Sequence, residues 1–362
     1  MMEVDGKNAV LNKMVETFPN CDYWNDSCAF DDLKYAIERG AKGATTNPIS
    51  VKNILKKELP IWRDTIENYV KNMSEATEEE IAWALIEKIA QERSKLLLHI
   101  YEKFNGKKGR ISIQTNPKYY RSVKFMVKQA QEFARLAPNI QVKIPCSNAG
   151  IKAMEEATYH GVSINATVCF SVPQAIAVAE AVERGLSQRV KKGLKIDDMA
   201  PVCTIMFGRV EDYIRQYCLD YGYMIDPTAL NWVAVSIFKK LYHIYIRRGY
   251  YTRLLMSGPR HFYHWYQVIG GNYAMTINHA WQKRINESGA IITNTIDNPV
   301  EQRIIDELCK VPEFVKAYDE NGMDAVDFEN YGAFCNTMTS FLEGYTELLQ
   351  IIRGFMLPNP LK

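Results

Sequence analysis

Residues 139–171 read NIQVKIPCSNAGIKAMEEATYHGVSINATVCFS, and the fold turns on this stretch. Two short apolar segments, Ile140 to Pro145 and Val162 to Phe170, flank a helix-like segment from Gly150 to Tyr159. That is the pattern of a βαβ unit, whose strands run parallel and are covered on both faces. Lys143 sits inside the first segment, between Val142 and Ile144, with Pro145 stopping the strand. An ammonium on a covered strand is costly, so this lysine needs a partner, a lowered pKa or a chemical role. On pattern alone the commoner case is a lysine that ends its strand and reaches solvent. The sharper reading is an amine dry enough to be neutral part of the time, and so able to attack a carbonyl.

Working outward, six more strand-like segments appear: Asn20 to Ser27, the short run inside Gly40 to Ser50, Arg110 to Thr115, Met199 to Arg209, Tyr251 to Ser257 and Tyr273 to Asn278. Helical patterns lie between them, at Phe30 to Gly40, Val51 to Lys108, Tyr119 to Leu136, Val172 to Gly185 and Asp226 to Gly249. Strands alternating with helices predict a parallel sheet, and this number of strands predicts a single (β/α)8 barrel. With no internal repeat and no low-complexity linker, residues 1–362 are expected to form one domain. From about residue 280 the pattern is helical except at Asp319 to Phe328, which predicts a C-terminal helical extension. Its last helix, Phe334 to Phe355, carries Phe341, Leu342, Tyr345, Leu348 and Leu349 on one face. It is expected to pack across the barrel or to form a subunit contact, so a homodimer stays open.

The composition narrows the function classes. A hydrophobic content of 47% supports a packed core, and a net charge of +2 gives no reason to expect nucleic acid or an acidic membrane. The basic run Gln188 to Asp198 lacks interleaved aromatics and reads as a solvated surface loop. Eight cysteines are scattered without a CxxC pair, the usage expected of a reduced, cytoplasmic protein. Met1 to Asn20 lacks an unbroken apolar core, so no signal peptide is expected, and no apolar run reaches the ~18 residues of a membrane span. Only His261 and His264 lie close together among six histidines, so no metal site is expected.

Several polar residues fall at strand exits, where a barrel gathers its chemistry. Asp26 follows the first strand, though an Asp there is more commonly a helix N-cap. Thr45 and Asn47 belong to a Thr-Thr-Asn-Pro turn, which Asn and Pro alone would explain, with Ser50 placed to cap the next helix. Either Arg209 or Arg260, taken singly, would be an ordinary surface ion-pair member.

Five stretches taken together resemble the transaldolases. VKIPCSNAGIKAMEEATYHGVSINATVCFSVPQAIAVAEA looks like their central block, in which a K-[IVL]-P strand end precedes a G-I helix, an N-x-T strand end and an F-S-x-x-Q-A helix start. Gly43 to Pro48 (GATTNP) matches G-x-T-[TS]-N-P, Thr204 to Arg209 (TIMFGR) matches S-P-F-V-G-R, and Asp26 falls at the end of the first strand. The resemblance implies a cofactor-free class I aldolase mechanism within sugar-phosphate metabolism, with the pentose phosphate pathway as its setting. Lys143 would form the Schiff base, Asp26 would be the general acid/base, and Gln114 with Thr167 would hold a water. Thr45, Asn47 and Asn165 would bind the hydroxyls of the three-carbon fragment. Thr204 takes the place of the family's serine on the sixth strand, and Arg209 and Arg260 would hold the phosphate.

The chain also departs from that pattern. The transaldolases usually have Glu where Gln114 stands, whereas the fructose-6-phosphate aldolases of the same superfamily have Gln. Met206 stands where transaldolases have Phe and those aldolases have Tyr. In the G-A-S-F-R stretch, Arg260 matches, but Ser257 is one place early and Gly258 takes the serine position. The resemblance therefore implies transfer of a dihydroxyacetone unit between sugar phosphates. Its alternatives are an aldolase that releases that unit, acting also on a modified sugar such as a sulfonate, and a non-catalytic barrel that binds a sugar phosphate.

Overall fold

The computed structural model describes residues 9–357. Eight strands close into a barrel in chain order: β1 (Cys21–Asn25), β2 (Gly43–Thr45), β3 (Arg110–Gln114), β4 (Ile140–Pro145), β5 (Ile164–Cys169), β6 (Val202–Met206), β7 (Arg253–Ser257) and β8 (Tyr273–Ile277). Every pairing is parallel, and β1 closes on β8 from Cys21↔Tyr273 to Asn25↔Ile277. Helices separate the strands, so the architecture is the (β/α)8 barrel that the alternating pattern predicts. The strands of the opening stretch are buried along their whole length, which is why IQVKIP and INATVC read as runs instead of alternations.

The turns that leave the strands also start the helices. Asn47 caps the Pro48–Asn72 helix through Ser50 N–H at 2.9 Å, Ser147 caps the Asn148–Tyr159 helix through Gly150 N–H at 2.8 Å, and Ser171 caps the Val172–Lys191 helix. Thr77 and Glu80 form a capping box at the start of Glu78–Lys103. Strand β5 contains an irregularity: the register to β6 shifts between Ala166 and Cys169, and Val168 has φ +54°. A β-branched residue in the left-handed region is strained. The bulge leaves Asn165 and Thr167 on the inner face and returns Cys169 to the outer side, where its sulfur lies 3.8 Å from that of Cys203.

Strand β1 ends at Asn25, which puts Asp26 at its exit as expected. Two expectations need correction. The run 188–198 is not all loop, because the Val172–Lys191 helix continues into it and Arg189 folds the following turn back by donating to Lys195 O and Tyr159 O. Residues 288–301 are not helical; Gly289, Asn294, Asp297, Asn298 and Pro299 favour turns there. The buried ammonium of Lys239 secures this segment by donating to Thr295 O and Asn298 O at 2.7 and 2.6 Å.

The last helix, Gly332–Met356, packs across the barrel against the Pro48–Asn72 helix. Gly344 permits that approach, since a Cβ there would stand 2.6 Å from the Ile49 side chain. Among the described residues no helix is long and apolar enough to cross a membrane. The signal-peptide expectation falls partly outside the described residues, but Val10–Thr17 is helical.

Candidate active site

A cavity opens at the C-terminal ends of the strands, enclosing about 670 Å³ with its mouth included. Asp26, Asn47, Lys143, Thr167, Thr204, Arg209 and Arg260 line it, although they are spread over most of the sequence. Thr45, Gln114 and Asn165 are buried in the wall beside them.

Lys143 lies between Gln114 and Asn165, its register partners on β3 and β5. Only 4% of the residue is exposed. Burial pushes its pKa below the ordinary lysine value, opposed in part by Asp26 and Cys28. A lowered pKa favours the neutral form of the amine, which is the form that acts as a nucleophile. The solvent-reaching reading of this lysine does not describe a side chain so deeply buried.

Asp26 is oriented by Thr45, whose hydroxyl donates to Oδ1 at 2.8 Å. That proton is then spent, so the 2.8 Å contact between the Thr45 and Thr276 hydroxyls is donated by Thr276. The loop after Asp26 is clamped from behind. Glu58, where Pro60 kinks the Pro48–Asn72 helix, accepts from Phe30 N–H at 2.6 Å and from Arg93 at 2.6 Å, and Arg93 also donates to Cys28 O at 3.0 Å.

On the other side of Lys143 the polar groups form a closed chain. Thr204 donates to Asn165 Oδ1 at 2.6 Å, Asn165 to Ser112 at 3.0 Å, Ser112 to Gln141 at 2.8 Å, and Gln141 to Ala200 O at 2.7 Å. Asn165 thus spends one amide N–H within the wall and receives Thr204, which leaves its second N–H available. By contrast, both amide atoms of Gln114 and the hydroxyl of Thr167 are buried without a hydrogen-bond partner among the described residues. Unpartnered polar atoms flanking a buried amine are costly in an idle core and useful in a site that takes a polar guest.

Arg209 stands in the first turn of the Phe207–Tyr221 helix and Arg260 in the loop after β7. Burial lowers the pKa of Arg209, the neighbouring Arg260 lowers it further, and Asp212 opposes both. Arg260 is paired with Asp212 at 2.9 and 3.1 Å, and Arg209 reaches Ser340 of the last helix at 3.3 Å. Met206 and Ser257 line the same end of the cavity. Phe341 of the last helix completes the wall, and the only signal for it in the sequence is its place on an apolar helical face. Glu211, buried against His261 and His264, carries no sequence signal of its own, because some fifty residues separate it from those histidines.

Against known proteins, residues 23–328 match the family model described as Transaldolase/Fructose-6-phosphate aldolase. A relative from Thiobacillus denitrificans named transaldolase is 28% identical over 248 residues, covering 66% of this chain and 68% of its own. A Campylobacter jejuni transaldolase is 29% identical over 180 residues, covering 49% of this chain and 53% of its own. Transaldolase 2 of Streptomyces avermitilis is 28% identical over 176 residues, covering 48% and 46%. The chain thus spans about half the length of several relatives that it matches.

Proposed function

This chain belongs to the transaldolase/fructose-6-phosphate aldolase family, and from its cavity we propose that it transfers a dihydroxyacetone unit between sugar phosphates through an imine on Lys143. The observation that carries this reading is the meeting of a buried Lys143, its pKa lowered by burial, with Asp26 in one cavity.

The steps follow from the groups present. The Lys143 amine attacks the ketone carbon of a ketose phosphate, and loss of water gives the imine. Asp26 takes the proton of the C4 hydroxyl, the C3–C4 bond breaks, and its electron pair moves into the imine to form an enamine. The aldehyde phosphate departs. An acceptor aldehyde then receives the enamine carbon, and Asp26 returns the proton to the new hydroxyl. Water adds to the new imine and frees the amine. Gln114 and Thr167, whose polar atoms have no partner among the described residues, are suited to hold that water. Asn47 lines the cavity with its amide N–H groups uncommitted by its cap, and so can serve the fragment's hydroxyls. Thr45 and Asn165 act from one layer further out by fixing Asp26 and Thr204. Arg209 and Arg260 supply planar forks for the phosphate.

Gln114 favours a second reading, release of dihydroxyacetone, because a neutral amide beside the imine can hold a water without ionising. Met206 favours transfer: an apolar thioether cannot orient a water as a phenol does. The deciding experiment compares dihydroxyacetone release with aldehyde-dependent transfer on fructose 6-phosphate, in wild type and in Met206→Tyr. Transfer should dominate in the wild type and the tyrosine should shift flux toward release. Equal release with and without an acceptor aldehyde would make the enzyme an aldolase.

A further inference from the structure

Glu211 is a carboxylate with 2% exposure, two residues after Arg209 on the same helical turn. Its Oε2 lies 2.8 Å from His264 Nε2 and 3.0 Å from His261 Nε2, and its Oε1 accepts from Arg215 at 3.0 Å. The two imidazoles lie against each other with centroids 3.9 Å apart. His264 is fully buried, edge-on to Phe207, and its Nδ1 accepts the backbone N–H of Arg260 at 3.1 Å.

These contacts fix a tautomer. An Nδ1 that accepts a backbone N–H has its lone pair in use, so the hydrogen of neutral His264 is on Nε2, where it is donated to Glu211. Three ligand-type side chains within 4.8 Å would otherwise suggest a metal centre. Here His264 Nε2 carries a hydrogen and has no lone pair to offer a cation. The cluster therefore acts as a tether. It runs from the helix that carries Arg209, through Glu211 and His264, to the backbone of Arg260.

Two more contacts join the same pieces. Asp212 holds the Arg260 guanidinium, and Gly208 N–H donates to Gly258 O at 3.0 Å. The approach is close enough that a Cβ on Gly208 would stand 2.4 Å from that oxygen. Two guanidiniums facing one cavity repel each other, so their spacing has to be imposed by the surrounding structure. The Asp212 pair is exposed and exchangeable, whereas the Glu211 cluster is buried and holds the backbone.

We propose that Glu211, through His264 and His261, is a positioning residue that sets the spacing of Arg209 and Arg260 for a tetrahedral oxyanion. The inference rests on the reading of these arginines as the anion subsite.

The test measures inorganic phosphate binding by calorimetry, alongside borohydride trapping of the Lys143 imine with uncharged dihydroxyacetone. Glu211→Gln presents one carbonyl oxygen where a carboxylate serves two imidazoles and Arg215, and should weaken phosphate about tenfold or more. His264→Phe keeps the ring beside Phe207, removes the acceptor for Arg260 N–H, and should do the same. Trapping should stay within twofold in both. If Glu211→Gln does not fold, His264→Phe carries the test. Phosphate affinity within twofold of wild type in the folded variants would overturn the proposal. So would a parallel loss of trapping, which would show a cluster that supports the whole barrel. Stoichiometric zinc binding that His264→Phe abolishes would also overturn it. Wild-type phosphate affinity that ignores Arg209→Ala and Arg260→Ala would instead defeat the anion-subsite reading, and this inference with it.

Discussion

The Thr45 hydroxyl donates to Asp26 Oδ1 at 2.8 Å while receiving the hydroxyl of Thr276 at 2.8 Å, so two threonines on β2 and β8 hold the carboxylate on β1's exit loop. The arrangement lets a loop residue keep one orientation beside Lys143. Thr45→Val preserves the shape and removes the bond. A hydrogen bond to a charged group contributes about 1.5–3 kcal/mol, so kcat should fall roughly ten- to a hundredfold. KM for the phosphorylated donor should change little, because Thr45 is remote from the arginines in its bonding. Steady-state kinetics on fructose 6-phosphate check this, and an unchanged kcat would leave Asp26 positioned by other means.

The buried Glu58–Arg93 pair behind that loop offers a stability test. Removing one partner strands the other: Arg93→Met should destabilise the fold by roughly 3–5 kcal/mol in denaturant titrations. Glu58→Leu with Arg93→Met should recover much of that loss, since no unpaired charge remains. A double variant as unstable as the single would show that the bonds to Phe30 N–H and Cys28 O, not the charge pairing, hold the loop.

Much of this site was legible before folding. Eight strand-like segments, the βαβ unit around Lys143 and the polar residues at strand exits follow from local rules of burial, turn chemistry and helix capping. What stayed hidden depends on distance. Inward alternation identifies Thr45, Gln114 and Asn165 but not their depth, nor the hydrogen-bond chain that joins Asn165 to Thr204 and Ser112. The bulge at Val168 is a strained conformation that no β-branched residue announces. Glu211 meets its histidines only because helix and loop leave adjacent strands. The 288–301 segment is non-helical because Gly289, Asn294, Asp297, Asn298 and Pro299 outweigh the helical pattern on either side of it.

The pH dependence follows from Lys143. Its pKa in the folded protein is below the ordinary 10.5, with burial as the main cause. Between the folded value and 10.5 the unfolded chain binds the extra proton, so stability rises with pH across that window and falls as pH drops through the folded value. Lys143→Met should remove this slope. Imine formation with dihydroxyacetone, followed by initial trapping rates, should rise with pH to a plateau whose midpoint lies below 10.5. A midpoint at or above that value would mean an amine in contact with water.

The most direct test of the account is the location of the covalent intermediate. The protein is incubated with fructose 6-phosphate and borohydride, then digested and mapped by mass. The account predicts one reduced three-carbon adduct, on Lys143, in the wild type, and none in Lys143→Ala. An adduct on Lys239 or any other lysine, or turnover that survives in Lys143→Ala, would contradict it.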